Sequence, residues 1–128
     1  MPLAHLLIAD DDPEMRSWLR AVLAQAGARI DEVESGAELV RALTENGPYD
    51  LVVADVRMSW ATGVQALAMA RTAGVQTPFV VITAYADAAV RAAAEALGAP
   101  LLEKPLTVQE LLETALGAVD PSPELGSL

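Results

Sequence analysis

Five short apolar runs, each followed by a segment with helical spacing, constrain this chain more than any other feature. The runs are Leu6-Leu7-Ile8-Ala9, Ile30-Asp31-Glu32-Val33, Leu51-Val52-Val53-Ala54, Phe79-Val80-Val81-Ile82 and Leu101-Leu102. The first, third and fourth are continuously apolar, as befits parallel strands covered on both faces. The second is polar enough for a sheet edge, and the fifth is assigned by its place in the alternation. Strands alternating with helices over short connections predict an α/β fold, a parallel sheet with helices on both sides.

The intervening segments carry helix-start signals with a mechanism. Asp12 is placed to cap a helix whose first position is Pro13, where a missing N–H costs nothing. The apolar face of that helix reads Met15, Trp18, Leu19, Val22 and Leu23. Ser35–Glu38, Thr62–Gln65 and Thr107–Glu110 match the capping-box spacing, and each precedes apolar residues at helical intervals. An alanine-rich segment between Asp87 and Gly98 places Val90, Ala94 and Leu97 on one side. Gly27, Gly47, Gly74 and Gly98 fall where helices are expected to stop.

The chain has 128 residues, 18 acidic against 8 basic side chains and a net charge of −10. That length suits one domain, predicted over residues 1–119, with 120–128 as a C-terminal tail or linker stub. Cysteine is absent, which excludes a thiol nucleophile and cysteine-ligated metal. A single histidine, His5, excludes a multi-histidine metal site and is read as solvated. Phosphate backbones demand a basic face, so direct nucleic-acid binding by this domain is not expected. No apolar run approaches the ~20 residues of a membrane span, and the N-terminus lacks the basic and apolar regions of a signal peptide. The expected location is the cytoplasm, without membrane association.

Ligands of open α/β sheets gather beyond the carboxyl ends of the strands. Those ends carry Asp10-Asp11-Asp12, Asp55, Thr83-Ala84 and Lys104-Pro105, and Lys104 is the only lysine of the chain. Taken singly, Asp12 is a helix cap, Asp55 a turn residue, Thr83 an ordinary strand residue and Lys104 a solvated charge. Their joint placement on one edge is what points to chemistry. Asp10, Asp11 and Asp55 repel one another unless a cation intervenes, and an all-oxygen donor set suits Mg²⁺. Carboxylate, divalent cation, lysine and hydroxyl together suit phosphoryl transfer.

These residues resemble a two-component response-regulator receiver domain, over about Leu6 to Val119. The matching pieces are Asp10-Asp11, Asp55-Val56-Arg57-Met58 with Gly63 following, Thr83-Ala84 and Lys104-Pro105. The resemblance implies a doubly wound, flavodoxin-like five-stranded parallel sheet of order 2-1-3-4-5 with five helices. It implies that Asp55 accepts a phosphoryl group from a histidine kinase or phosphotransfer protein. It further implies that Asp10, Asp11, Asp55 and the backbone carbonyl of Arg57 hold Mg²⁺, that Lys104 pairs with phosphoryl oxygens, and that Thr83 switches toward them. Arg57 and Tyr85 correspond to positions that tune water access to the acyl phosphate. No dedicated enzyme activity is implied beyond self-phosphorylation from a phosphodonor and self-dephosphorylation. The output partner is unspecified, and a phosphorylation-dependent homodimer is allowed.

The chain departs from the family pattern in places. Ser59 replaces a usual proline and is followed by Trp60, Thr62 replaces an acidic residue, Leu101 stands at the aromatic switch position, and Leu106 replaces a frequent phenylalanine. Three other readings compete. A receiver-like interaction module that is never phosphorylated fits the altered loop and Leu101. A small haloacid-dehalogenase-type phosphohydrolase would use Asp10 as nucleophile but would need a cap domain. A flavin site would need a phosphate loop where the aspartates stand.

Overall fold

The computed structural model describes residues 4–57 and 63–119. Five strands alternate with five helices: β1 His5–Ala9, α1 Pro13–Ala24, β2 Arg29–Val33, α2 Gly36–Glu45, β3 Leu51–Asp55, α3 Gly63–Thr72, β4 Phe79–Thr83, α4 Ala88–Ala96, β5 Leu101–Glu103 and α5 Val108–Val119. All strand pairs are parallel, and the sheet order is β2-β1-β3-β4-β5. The polar second run therefore lies at an edge, as expected. Each strand is one residue longer than its apolar run because ladder pairing continues into polar residues, and Asp55 and Thr83 are the last residues of β3 and β4.

Every residue of β3 and β4 is buried, and alternate side chains serve different cores. Leu6, Ile8, Leu51, Val53, Val80 and Ile82 pack with Leu19 and Leu23 of α1 and Leu111 and Ala115 of α5. Leu7, Ala9, Val52, Ala54, Phe79 and Val81 pack with Leu39 and Leu43 of α2 and Leu67 and Ala70 of α3. This two-sided burial is why the runs read as continuously apolar.

The capping signals resolve in three ways. Asp12 accepts from the Glu14 amide at 3.0 Å, and Asp87 accepts from Val90 at 2.8 Å. The box at α5 is complete: Glu110 N–H donates to Thr107 Oγ1 at 3.0 Å, and Thr107 N–H to Glu110 Oε1 at 2.9 Å. At α2, Ser35 accepts from Glu38 N–H at 3.2 Å, but the Glu38 carboxylate reaches back to the Glu34 amide instead of its own cap residue. Thr62 and Ser59-Trp60 lie outside the described residues, as does the 120–128 segment. Gly27, Gly74 and Gly98 adopt positive φ at helix ends, a conformation glycine reaches without steric cost. Gly47 does not: α2 is already closed at Asn46.

His5 is not solvated. Its Nε2 lies 3.0 Å from Asp31 Oδ2, and its ring packs on Tyr49 with centroids 4.4 Å apart. Tyr49 donates its hydroxyl to the same carboxylate oxygen at 2.7 Å. This bond, before the histidine contacts, holds the Asp31 carboxyl below its ordinary range. Burial, then the Asp31 carboxylate, pushes the Tyr49 hydroxyl up to about 12 from an ordinary 10.0. A raised folded-state value means that the Tyr49 contribution is complete below the unfolded value and is lost as pH rises toward about 12. Tyr49→Phe is expected to cost about 1 kcal/mol at neutral pH. Urea midpoints of the variant should then fall less steeply than wild type through the alkaline range, and parallel alkaline declines would refute this role for Tyr49.

Candidate functional site

The strand order dictates which polar residues meet. Asp10 follows β1, Asp55 ends β3, Thr83 ends β4 and Lys104 follows β5, and these four strands are consecutive in the sheet. One carboxylate oxygen from each of Asp10, Asp11 and Asp55 lies within 4.8 Å of the others. Asp10 is fully buried and Asp55 nearly so, whereas Asp11 is exposed. Lys104 Nζ lies 3.3 Å from Asp55 Oδ2 and 3.6 Å from Asp10 Oδ2. Its backbone N–H donates to the Thr83 carbonyl at 2.7 Å, which seats the residue against the end of β4. The side chains of Asp10, Asp11, Asp55 and Lys104 are therefore brought together, and Thr83 joins them through its backbone carbonyl.

The two buried carboxylates are held differently. Asp55 Oδ1 accepts from the Arg57 backbone N–H at 3.2 Å, and Oδ2 faces Lys104. Asp10 Oδ1 accepts from the Asp12 N–H at 2.9 Å. Among the described residues, Asp10 Oδ2 is the one buried side-chain oxygen or nitrogen with no hydrogen-bond partner. Burial, reinforced by the Asp55 charge and opposed by the Asp12 N–H and Lys104, raises the Asp10 carboxyl to about 6 from an ordinary 3.8. An orphaned, desolvated oxygen within reach of two further carboxylates fits a hard divalent cation, whose preferred donors are oxygens.

Thr83 is fully buried. Its hydroxyl donates to the Tyr85 carbonyl at 3.0 Å and accepts from the Tyr85 N–H at 3.2 Å. The hydroxyl is thus occupied by its own loop, and engaging a group at Asp55 requires giving up the Tyr85 carbonyl. Tyr85 is 63% exposed, and Arg57 is exposed. Leu101 is half-buried against the α2–α3 side core. A cleft of about 210 Å³ lined by Met15, Trp18, Pro105 and Leu106 flanks Lys104. A larger cavity of about 380 Å³ lies at the α4–β5 connection, beside Leu101 and apart from the carboxylates.

Two participants were not anticipated. Arg16 of α1 donates from Nη1 to the Asp10 carbonyl at 2.7 Å. Glu103 of β5 accepts from the Ala86 N–H at 3.4 Å and from Arg91 at 3.2 Å, linking the β4–α4 loop to β5. Glu103 borders the Lys104-Pro105 pair, but Arg16 has only one sequence clue, a cation in the first turn of a helix, where the dipole disfavours it.

Known proteins share this architecture. The family model for the response regulator receiver domain matches residues 6–116. The transcriptional regulatory protein GlrR of Escherichia coli is 32% identical over 120 residues, which are 93% of this chain and 27% of that protein. The response regulator MprA of a Mycobacterium species is 34% identical over 113 residues, 88% of this chain and 48% of that protein. The chain thus spans between about a quarter and a half of these relatives. A CheY-like receiver domain protein from Methanospirillum hungatei superposes with a TM-score of 0.85 at 22% identity, covering 97% of this chain and 99% of that one. The non-phosphorylated HemR receiver domain of Leptospira biflexa gives 0.79 at 28% identity, covering 91% and 93%.

The raised Asp10 value has a stability consequence. Because the folded form holds the proton more tightly, the carboxylate destabilises the metal-free fold increasingly as pH rises from about 3.8 through about 6. Asp10→Asn is therefore expected to stabilise metal-free protein by about 1–3 kcal/mol at neutral pH and to have little effect in acid. Thermal melts in chelator would check this, and equal stability at neutral pH would refute it.

Proposed function

The chain belongs to the response regulator receiver domain family, and on that premise we propose that it takes a phosphoryl group from the phosphohistidine of a histidine kinase or phosphotransfer protein onto Asp55. The observation that carries the proposal is the Asp55 carboxylate itself. It is nearly buried at the end of β3, with Lys104 Nζ at 3.3 Å and two further aspartates within cation-sharing distance.

An Asp55 oxygen attacks phosphorus, the new O–P bond forms as the P–N bond breaks, and the imidazole nitrogen leaves with the electron pair. Asp10, Asp11 and Asp55, with the backbone carbonyl of Arg57, would hold Mg²⁺. When bound, Mg²⁺ neutralises charge spread over the phosphoryl oxygens. Lys104 then exchanges its contact with the Asp55 carboxylate for one with the transferred group. The new dianion recruits the Thr83 hydroxyl from the Tyr85 carbonyl, so that a local charge change biases the β4–α4 loop between two arrangements. The Glu103 contacts to Ala86 and Arg91 transmit that change toward α4. Leu101 lacks an aromatic ring, so no ring flip at that position contributes to this coupling, and Tyr85 is the remaining aromatic beside Thr83. Arg57 and Tyr85, each two residues beyond Asp55 and Thr83 and both exposed, set how readily water attacks the acyl phosphate and returns Asp55 to its carboxylate.

Incubation with a small phosphodonor and Mg²⁺ is expected to add one phosphoryl mass to wild type and none to Asp55→Asn. No gain in wild type would favour the unphosphorylated module, and a gain lost only in Asp10→Asn would favour the hydrolase reading. Thr83→Ala should still be phosphorylated but should show a blunted change in amide exchange across α4 and α5. A normal exchange response in that variant would remove Thr83 from the switch. Arg57→Ala and Tyr85→Ala are each expected to change the decay rate of phosphorylated protein by about two- to tenfold, a barrier change of roughly 0.4–1.4 kcal/mol. Unchanged decay in both would refute their tuning role.

A further inference from the structure

We propose that Arg16 is a positioning residue for the metal site: it fixes the backbone of Asp10 so that the free oxygen of that carboxylate is presented to the cation. The inference rests on the Mg²⁺ reading above.

Asp10 is tied at three atoms. Its N–H donates to the Val33 carbonyl at 3.2 Å, its Oδ1 accepts from Asp12 N–H at 2.9 Å, and its carbonyl accepts from Arg16 Nη1 at 2.7 Å. The atom left over is Oδ2, which is buried, has no hydrogen-bond partner and faces Lys104 at 3.6 Å. Fixing the other three atoms determines where Oδ2 points. Arg16 is the one side chain among these three contacts, since Val33 and Asp12 act through backbone.

The guanidinium is itself held rigidly. Its Nε donates to Glu32 Oε1 at 3.3 Å, and Nη2 lies 3.8 Å from Glu34 Oε2. Its side chain is only 14% exposed. A planar fork can satisfy a carbonyl and a carboxylate at once, which an ammonium cannot do with the same geometry. Arg16 sits four residues into the helix capped by Asp12, at the end where a positive charge is disfavoured. The carbonyl bond and the two glutamates account for its presence there.

The sign of the effect separates positioning from charge. Arg16 carries a positive charge near a site for a dication, so on Coulombic grounds alone removing it would tighten Mg²⁺ binding. If it positions Asp10, removing it weakens binding, because groups that orient metal ligands are typically worth 10–100-fold in affinity.

Calorimetric titration of the metal-free protein with MgCl₂ tests this. Arg16→Met is expected to raise the Mg²⁺ Kd about tenfold, and Arg16→Lys, which keeps the charge but not the planar fork, should recover at most part of the loss. With the small phosphodonor, saturating Mg²⁺ should restore the Arg16→Met phosphorylation rate to near wild type. A Kd within twofold of wild type or tighter overturns the inference, as does a rate defect that saturating Mg²⁺ does not relieve. If Arg16→Met does not fold, Glu32→Gln, which loosens the guanidinium from its other side, takes its place, and an unchanged Kd there overturns it equally. Wild type that binds no Mg²⁺ would instead overturn the metal reading on which the inference stands.

Discussion

A carboxylate taken out of water with too few partners is the constraint on which this molecule turns. Asp10 is fully buried, retains an oxygen without a hydrogen bond and faces a second buried carboxylate, with a single lysine between them. Like charges at this separation would drift apart on a compliant scaffold. They cannot here, because β1, β3 and β4 are packed on both faces and locked into one ladder. Close-packed interiors transmit strain instead of absorbing it. The sheet thus holds the aspartates in an arrangement that favours an incoming cation.

Much of this was legible in the residues. The runs at Leu6, Leu51 and Phe79 read as buried strands because both faces of each are covered, and Asp55, Thr83 and Lys104 stood out because strand ends are where such sheets bind ligands. Helix starts followed from Asp12, Ser35 and Thr107 because capping is local in sequence, whereas the Asp87 cap was not singled out. What was not legible depends on separation along the chain. His5 meets Asp31 and Tyr49, 26 and 44 positions away, and a lone histidine carries no signal for such partners. Arg16 looks like any surface arginine until β1 and β2 are paired, which brings the Asp10 carbonyl and Glu32 to either side of it. The Glu38 side chain kept the spacing of a capping box yet chose the amide of Glu34, a choice set by the path of the preceding loop and not by spacing.

The two ends of the sheet are treated oppositely. Toward the N-terminal ends of the strands, Asp50 accepts the amides of Ala4 and His5, and Asp31 accepts from Tyr49 beside His5, so the carboxylates there are satisfied. At the carboxyl ends, Asp10 and Asp55 share one lysine. One end anchors the chain, and the other is left with unmet demand. That asymmetry separates stability from chemistry along the length of each strand.

The alternation of strand residues between two cores separates them across the sheet as well. Leu6 and Ile8 answer to α1 and α5, whereas Leu7 and Ala9 answer to the α2–α3 layer, and the sheet stands between the two layers. Substitutions in one helix layer therefore meet the other layer only through the shared strands. The outward surfaces of the helices can diverge under separate selective pressures while the aspartates at the rim stay in place. Such a scaffold lends itself to duplication and re-targeting, with new recognition surfaces arising on an unchanged chemical centre.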